Sequence, residues 1–260
     1  GTARDLGPFT RLSLDWHGDI VHVPDWGIPL AASELRGTGP GARAPIDFSI
    51  ERGTSFVAML SLGVTHDQRD SAAMPTRGIL ASFTGDLATS WLGSSYDFIR
   101  VQMSVNRWSQ TRWGHTLRFG AFAGAVYGNT PFFYKFFVSD LTDLMPSRIL
   151  GLNLDHRPAP NLFGAICGRP FQTGCGTAIG VMRQEELAAR VDVEYVWPLV
   201  RGRKKFMRSA DFFGLIGLYA LADPKDLRLA VPGYTGLKRI PVDLTFDLGV
   251  RLDTEAGVFQ

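Results

Sequence analysis

The chain has 260 residues, a formal net charge of +2, a hydrophobic content of 45% and a mean hydropathy of +0.02. That length suits one large all-β domain or two small ones, and so small a net charge gives no general attraction to nucleic acid. The longest uncharged apolar stretch, Phe212–Ala222, is too short for a transmembrane helix, which needs about 20 apolar residues.

The predicted elements share one pattern, an alternation of period 2 that gives each strand an oily face and a wet face. Thr10–Trp16 puts Leu12, Leu14 and Trp16 opposite Arg11, Ser13 and Asp15. Ser55–Thr65 carries Phe56, Ala58, Leu60, Leu62 and Val64 on its oily side. Ile79–Leu87 sets Ile79, Ala81 and Phe83 against Leu80, Ser82, Thr84 and Asp86. Phe98–Asn106 sets Ile99, Val101, Met103 and Val105 against Arg100, Gln102, Ser104 and Asn106. Thr116–Tyr127 aligns Leu117, Phe119, Ala121, Ala123, Ala125 and Tyr127. Arg183–Arg190, RQEELAAR, is the best helical candidate and runs straight into a strand. That strand, Ala189–Trp197, alternates Val191, Val193, Tyr195 and Trp197 with Arg190, Asp192 and Glu194. Asp211–Ala222 is a more apolar strand. Val242–Leu252 is the eighth, with Val242, Leu244, Phe246, Leu248 and Val250 opposite Asp243, Asp247 and Arg251.

Soluble strands average about 5–6 residues, whereas a tilted membrane strand needs about 9–11, and most of these segments have the membrane length. Aromatics near segment ends (Trp16, Trp91, Trp108, Tyr127 and Trp197) fit a lipid–water boundary. Short connectors such as DQRDSAAMPTRG, SQTRWG and VRGRKKFMRSA alternate with long ones. The fold class expected is an all-β antiparallel transmembrane barrel, with its oily face on lipid and its charges in the lumen. A soluble sandwich or lipocalin-like barrel is the alternative.

Chemistry is thin. GTGPGA (Gly37–Ala42) lacks the strand–helix setting and the Lys-Ser/Thr of a phosphate loop. Asp15, His17, Asp19 and His22 read as polar strand residues rather than metal ligands. No Gly-x-Ser-x-Gly and no Cys–His catalytic signature occurs. No enzyme, cofactor, metal or nucleic-acid partner is expected.

Several segments resemble, in collinear order, the barrels of BamA/TamA-type outer-membrane assembly proteins, the bacterial surface antigen superfamily. Leu62–Gly78, LGVTHDQRDSAAMPTRG, is similar to their strand, acidic–Arg turn and Pro-x-x-Gly restart. Asn129–Asp140, NTPFFYKFFVSD, resembles the opening of their long sixth extracellular loop. AARVDVEYVWPLV, FFGLIGLYALAD and VDLTFDLGVRLDTEAGVFQ resemble the strands that follow. The resemblance implies that residues 1–260 are part of one outer-membrane barrel domain. About eight strands of a sixteen-stranded barrel would lie here, with a long extracellular loop at about 128–185. POTRA repeats would lie outside this chain. The opening GTARDLGPF has no apolar signal-peptide core, and half a barrel would leave open edges in lipid. The expectation is a removed signal or a piece of a longer protein, with the rest of the chain or a partner closing the sheet.

The function implied is insertion or export of other outer-membrane proteins. The partners implied are outer-membrane lipids, unfolded outer-membrane clients, and accessory lipoproteins or partner subunits. The alternatives are a passive porin-like or secretion channel, and the barrel anchor of a surface enzyme such as a patatin-like lipase. The family loop carries Val-Arg-Gly-Phe/Tyr, whose Arg meets acids on the lumen wall. Here the nearest match is PSRILGLN, with Arg148 separated from Gly151, and the wall acid falls on Glu194. The second family acid falls on Leu215. Arg148 is expected to reach Glu194 and pin the loop. Cys167 and Cys175, close together in the loop placed outside the cell, are expected to form a disulfide in that oxidising compartment. Arg201, Arg203, Lys204, Lys205 and Arg208 fall in a periplasmic turn and are expected to contact anionic lipid headgroups.

Overall fold

The computed structural model describes residues 1–23, 51, 53–136, 185–202, 207–222, 224 and 242–259. They form one antiparallel sheet of ten strands in simple sequence order. The strands are β1 (Thr2–Asp5), β2 (Thr10–Val23), β3 (Gly53–Asp67), β4 (Gly78–Ala88), β5 (Phe98–Gln110), β6 (Thr116–Gly128), β7 (Leu187–Arg201), β8 (Met207–Ala222), β9 (Val242–Thr254) and β10 (Gly257–Phe259). The count exceeds the eight expected because two short flanking strands pair with β2 and β9. The best helical candidate, Arg183–Arg190, is not helical in the part described. Leu187 starts β7, and its residues pair with both β6 and β8, so ladder hydrogen bonds override a local helical pattern.

Register carries the alternation from strand to strand. Thr84 pairs with Gln102, Gln102 with Gly124, Glu194 with Leu215, and Leu215 with Asp247. Because the side-chain period is 2, one register places every oily face on one side of the sheet. On that outer face Leu14, Trp16, Met103, Phe119, Val191, Ile216 and Leu218 are exposed. Phe246 is 65% exposed, and Leu248 and Val250 are exposed beside it, while Asp247 and Arg251 point to the other, shielded side. The charged exception on β5 is Arg107, close to the strand end at Gln110, where its stem can carry the charge toward the membrane surface.

Trp108 corrects one expectation. It shares the parity of Arg100, Gln102, Ser104 and Asn106, so it lies buried on the inner face with the Arg69 guanidinium 5.8 Å from its ring. It is not a boundary aromatic.

Strand ends divide into two kinds. At one end lie the short turns after β1, β3, β5, β7 and β9; at the other lie the connections 24–52, 89–97, 129–186 and 223–241. Among the described residues, the turn between β3 and β4 is the one most densely tied by side-chain hydrogen bonds. Arg69 donates to both carboxylate oxygens of Asp67, at 2.9 and 2.8 Å. Asp70 accepts from the Thr76 amide at 2.8 Å, the Thr76 hydroxyl at 2.5 Å and the Arg77 amide at 3.1 Å. Gly78 restarts the chain at φ 111°, where a Cβ would strike the Gln68 carbonyl. Met74 is buried, and the Ser209 hydroxyl donates to its sulfur at 3.1 Å. Ser209 belongs to β8, four strands from β4, a separation of roughly 19 Å along the sheet. The turn therefore crosses the inner side at the short-turn mouth.

Asp70 makes this turn acid-sensitive. Burial pushes its carboxyl up, but hydrogen bonds from the Thr76 hydroxyl and from the amides of Arg77, Thr76 and Ser71 outweigh that and hold it below the usual carboxylate range. A lowered folded value means stabilisation that is present above the unfolded value, about 3.9, and is lost as pH falls through the folded value. Amide exchange at Thr76 and Arg77 is expected to accelerate across that acid window. Asp70→Ala is expected to cost about 1 kcal/mol at neutral pH and to abolish the acid step in exchange.

Candidate functional site

The inner face carries a cluster of charges that alternation places there and register brings together. Arg118 on β6 faces Glu194 on β7 as its ladder partner, and Gly120 faces Asp192. Arg118 Nη2 lies 2.8 Å from Asp192 Oδ2 and 3.3 Å from Glu194 Oε2. Its Nη1 donates to Asn106 Oδ1 on β5 at 2.8 Å. Arg190 Nε lies 2.8 Å from Asp192 Oδ1. Arg251 on β9 passes over the Phe213 ring, with its guanidinium carbon 4.9 Å from the centroid, and donates to Glu194 Oε1 at 3.3 Å. Gly120 leaves the space that the Asp192 carboxylate fills; a Cβ there would lie 2.6 Å from Oδ1.

Burial gives the cluster its energetic weight. Asp192 is 2% exposed, Glu194 3% and Arg118 5%. Charges so shielded hold only while paired. The contacts to Asp192 are close in distance but miss hydrogen-bond geometry, so they act chiefly through charge. Glu194 and Asn106 make the directional bonds. Leu215 holds no acid, yet its ladder partner Asp247 supplies a carboxylate on the same face one strand further on.

Toward the long-connection end the inner face turns apolar. Val57, Met59, Tyr96, Phe98, Val126, Phe136, Tyr219 and Leu221 form a buried core, with Phe122, Phe133 and Tyr134 packed on it. Residues 129–136 fold back onto this surface. Phe136 lies over Gly124, where any Cβ would strike its ring, and its ring centroid is 4.8 Å from the Arg100 guanidinium. Phe136 and Glu185 form an antiparallel bridge, and Lys135 Nζ lies 3.1 Å from Glu186 Oε1. The two ends of the long connection are thus fastened to each other. Tyr134 also reaches β2, donating to Asp19 Oδ2 at 2.5 Å, and His17 Nε2 lies 2.9 Å from the same oxygen.

Among the residues expected from sequence, Glu194 is in the cluster, held by Arg118 and Arg251. Arg148, Gly151, Cys167, Cys175, Arg203, Lys204 and Lys205 lie outside the described residues. Arg201 lies 3.1 Å from Asp211 and Arg208 is exposed. His17 and Asp19 form a pair with Tyr134, and no metal-binding group of three ligands occurs among the described residues. Sequence reading missed Arg118, the centre of the cluster. Its signal was present in its position between the outward Leu117 and Phe119.

A single-layer sheet that exposes its apolar face and shields its charges is the wall of a transmembrane β-barrel. Residues 30–142 match the Omp85 superfamily domain. Over 98% of its length the chain superposes on BamA from Haemophilus ducreyi lacking POTRA domains 1-3, with a TM-score of 0.61 and 11% identity. The chain spans 47% of that structure. No curated protein sequence matches it. The fold is therefore that of a BamA-type transmembrane β-barrel wall, and the chain carries a partial match to the Omp85 superfamily domain.

Proposed function

We propose that this barrel wall serves the insertion or assembly of other outer-membrane proteins. The observation favouring this over a passive channel is the filled inner face. The apolar core and residues 129–136 occupy it at one end, and the turn holding Met74 crosses it at the other. A passive conduit would keep that space open and polar. The charge cluster then serves as the landing surface for the long loop, with Arg148 reaching Glu194 beside Arg118 and Arg251. Under the same reading Cys167 and Cys175 close a disulfide in that loop, and the 201–208 turn meets anionic headgroups. Unfolded clients, accessory lipoproteins or partner subunits are its protein partners.

The test uses the full-length protein in lipid vesicles and planar bilayers. It is expected to accelerate the folding of a denatured outer-membrane barrel, read as the heat-modifiable gel shift, while showing no steady ohmic pore. A large steady conductance without acceleration would establish the channel reading instead.

A further inference from the structure

The turn between β5 and β6 holds a residue in a conformation that its side chain resists. Trp113 has φ 69° and ψ 10°, and it is the one non-glycine residue with positive φ among the described residues. In that region the Cβ of an L-residue crowds the following carbonyl, so glycine is the unstrained choice. Gly114 follows at φ 75°, also left-handed. Among the described residues, packing within the fold does little to offset the strain at Trp113. Its side chain is 84% exposed, and its described ring neighbour, His115, lies 6.2 Å away.

The surroundings indicate where the compensation comes from. Thr116 pairs with Val196, which sets the turn level with Trp197 on the outer face. There Tyr195 and Trp197 pack at 4.6 Å, Trp197 and Phe212 at 5.6 Å, and His115 Nδ1 shares a hydrogen bond of 2.8 Å with the Tyr195 hydroxyl. Toward the middle of the sheet this face is purely apolar, with Val191, Ile216 and Leu218 exposed. Toward the turn it becomes cationic, with exposed Arg112 next to Trp113 and exposed Arg208 at the foot of β8. The patch sits where hydrocarbon gives way to headgroups. Indole and phenol rings with one apolar side and one polar handle suit that boundary, and guanidinium suits phosphate.

We propose that Trp113, flanked by Arg112 and backed by His115, Tyr195 and Trp197, is a lipid-binding anchor for the leaflet on the short-turn side. The indole lies at the glycerol level and Arg112 meets the lipid phosphate. The local strain fixes the indole outward, off the barrel wall. This rests on the membrane-barrel reading and adds a specific contact to it.

The test compares wild type with Trp113→Phe and Trp113→Gly, using the full chain in phosphatidylcholine–phosphatidylglycerol vesicles and in detergent. The fluorescence lost in Trp113→Phe is the Trp113 signal. It is expected to be quenched strongly by lipids brominated near the headgroup, weakly by lipids brominated deep in the chain, and little by aqueous acrylamide. Trp113→Gly is expected to lower the urea midpoint in vesicles and to leave it unchanged or raised in detergent. Full quenching by acrylamide would overturn the proposal, since the indole would then sit in water. Shielding from both quenchers would overturn it too, because a protein would then cover the patch. An equal fall of the midpoint in both media would assign Trp113 to the fold rather than to lipid. Protease protection of the wild type in vesicles is read separately. Its absence, together with no quenching of any tryptophan by brominated lipid, would reject the membrane reading itself.

Discussion

Arg118→Met is expected to destabilise the barrel by about 3–5 kcal/mol, read from urea unfolding in vesicles. The substitution removes the guanidinium that contacts Asp192 at 2.8 Å and Glu194 at 3.3 Å and that donates to Asn106. Both acids are almost fully shielded, so the cost is that of leaving buried charge undercompensated rather than the modest worth of a surface pair. Arg190 and Arg251 would keep one contact each to Asp192 and Glu194, which places the change below complete unfolding. Adding Asp192→Asn to Arg118→Met is expected to recover part of the loss, because the neutral amide no longer requires a counter-charge. A single-mutant loss under about 1 kcal/mol would show the cluster to be hydrated, with each pair worth no more than an exposed one.

Phe246→Arg is expected to cost about 2–4 kcal/mol in a bilayer, because it sets a charge against hydrocarbon near the middle of β9. Asp247→Asn, one residue on, is expected to cost far less, since it faces the inner side next to Leu215. The contrast tests the orientation of the sheet directly. Spin labels at the two positions should show Phe246 open to a lipid-phase quencher and Asp247 hidden from it. A reversed order would mean that the wet face looks outward, and the protein would not be a membrane barrel.

Much of this sheet can be read from alternation alone. The outer face from Leu12 to Val250 follows from a period of 2, and register merely propagates it. Trp108 could have been assigned the same way, since its parity matches Asn106 and not Val105. Its position near a segment end outweighed its parity in the sequence reading. The strand β1 escaped notice because Thr2–Asp5 has no oily side, and only its pairing with Arg11, Leu12, Ser13 and Leu14 makes it a strand. The cluster was half legible. Parity puts Arg118, Asp192, Glu194 and Arg251 on one face, but contact between β9 and β7 needs the register and the route over Phe213. The seat of Phe136 on Gly124 joins residues from an irregular segment and a strand, and no periodic signal describes that.

The two cross-sheet contacts act on this wall as tie rods act on an arch. Tyr134 ties the end of β6 to Asp19 on β2 at one mouth, and Met74 ties the β3–β4 turn to Ser209 on β8 at the other. Each tie sets a chord, and a fixed chord fixes curvature. The arc from β2 to β8 is therefore expected to hold its radius better than the strands beyond the ties. Flexing of this sheet is then expected at its flanks, at β1 and at β9–β10, with the charge cluster of β6 and β7 held in the stiffer middle.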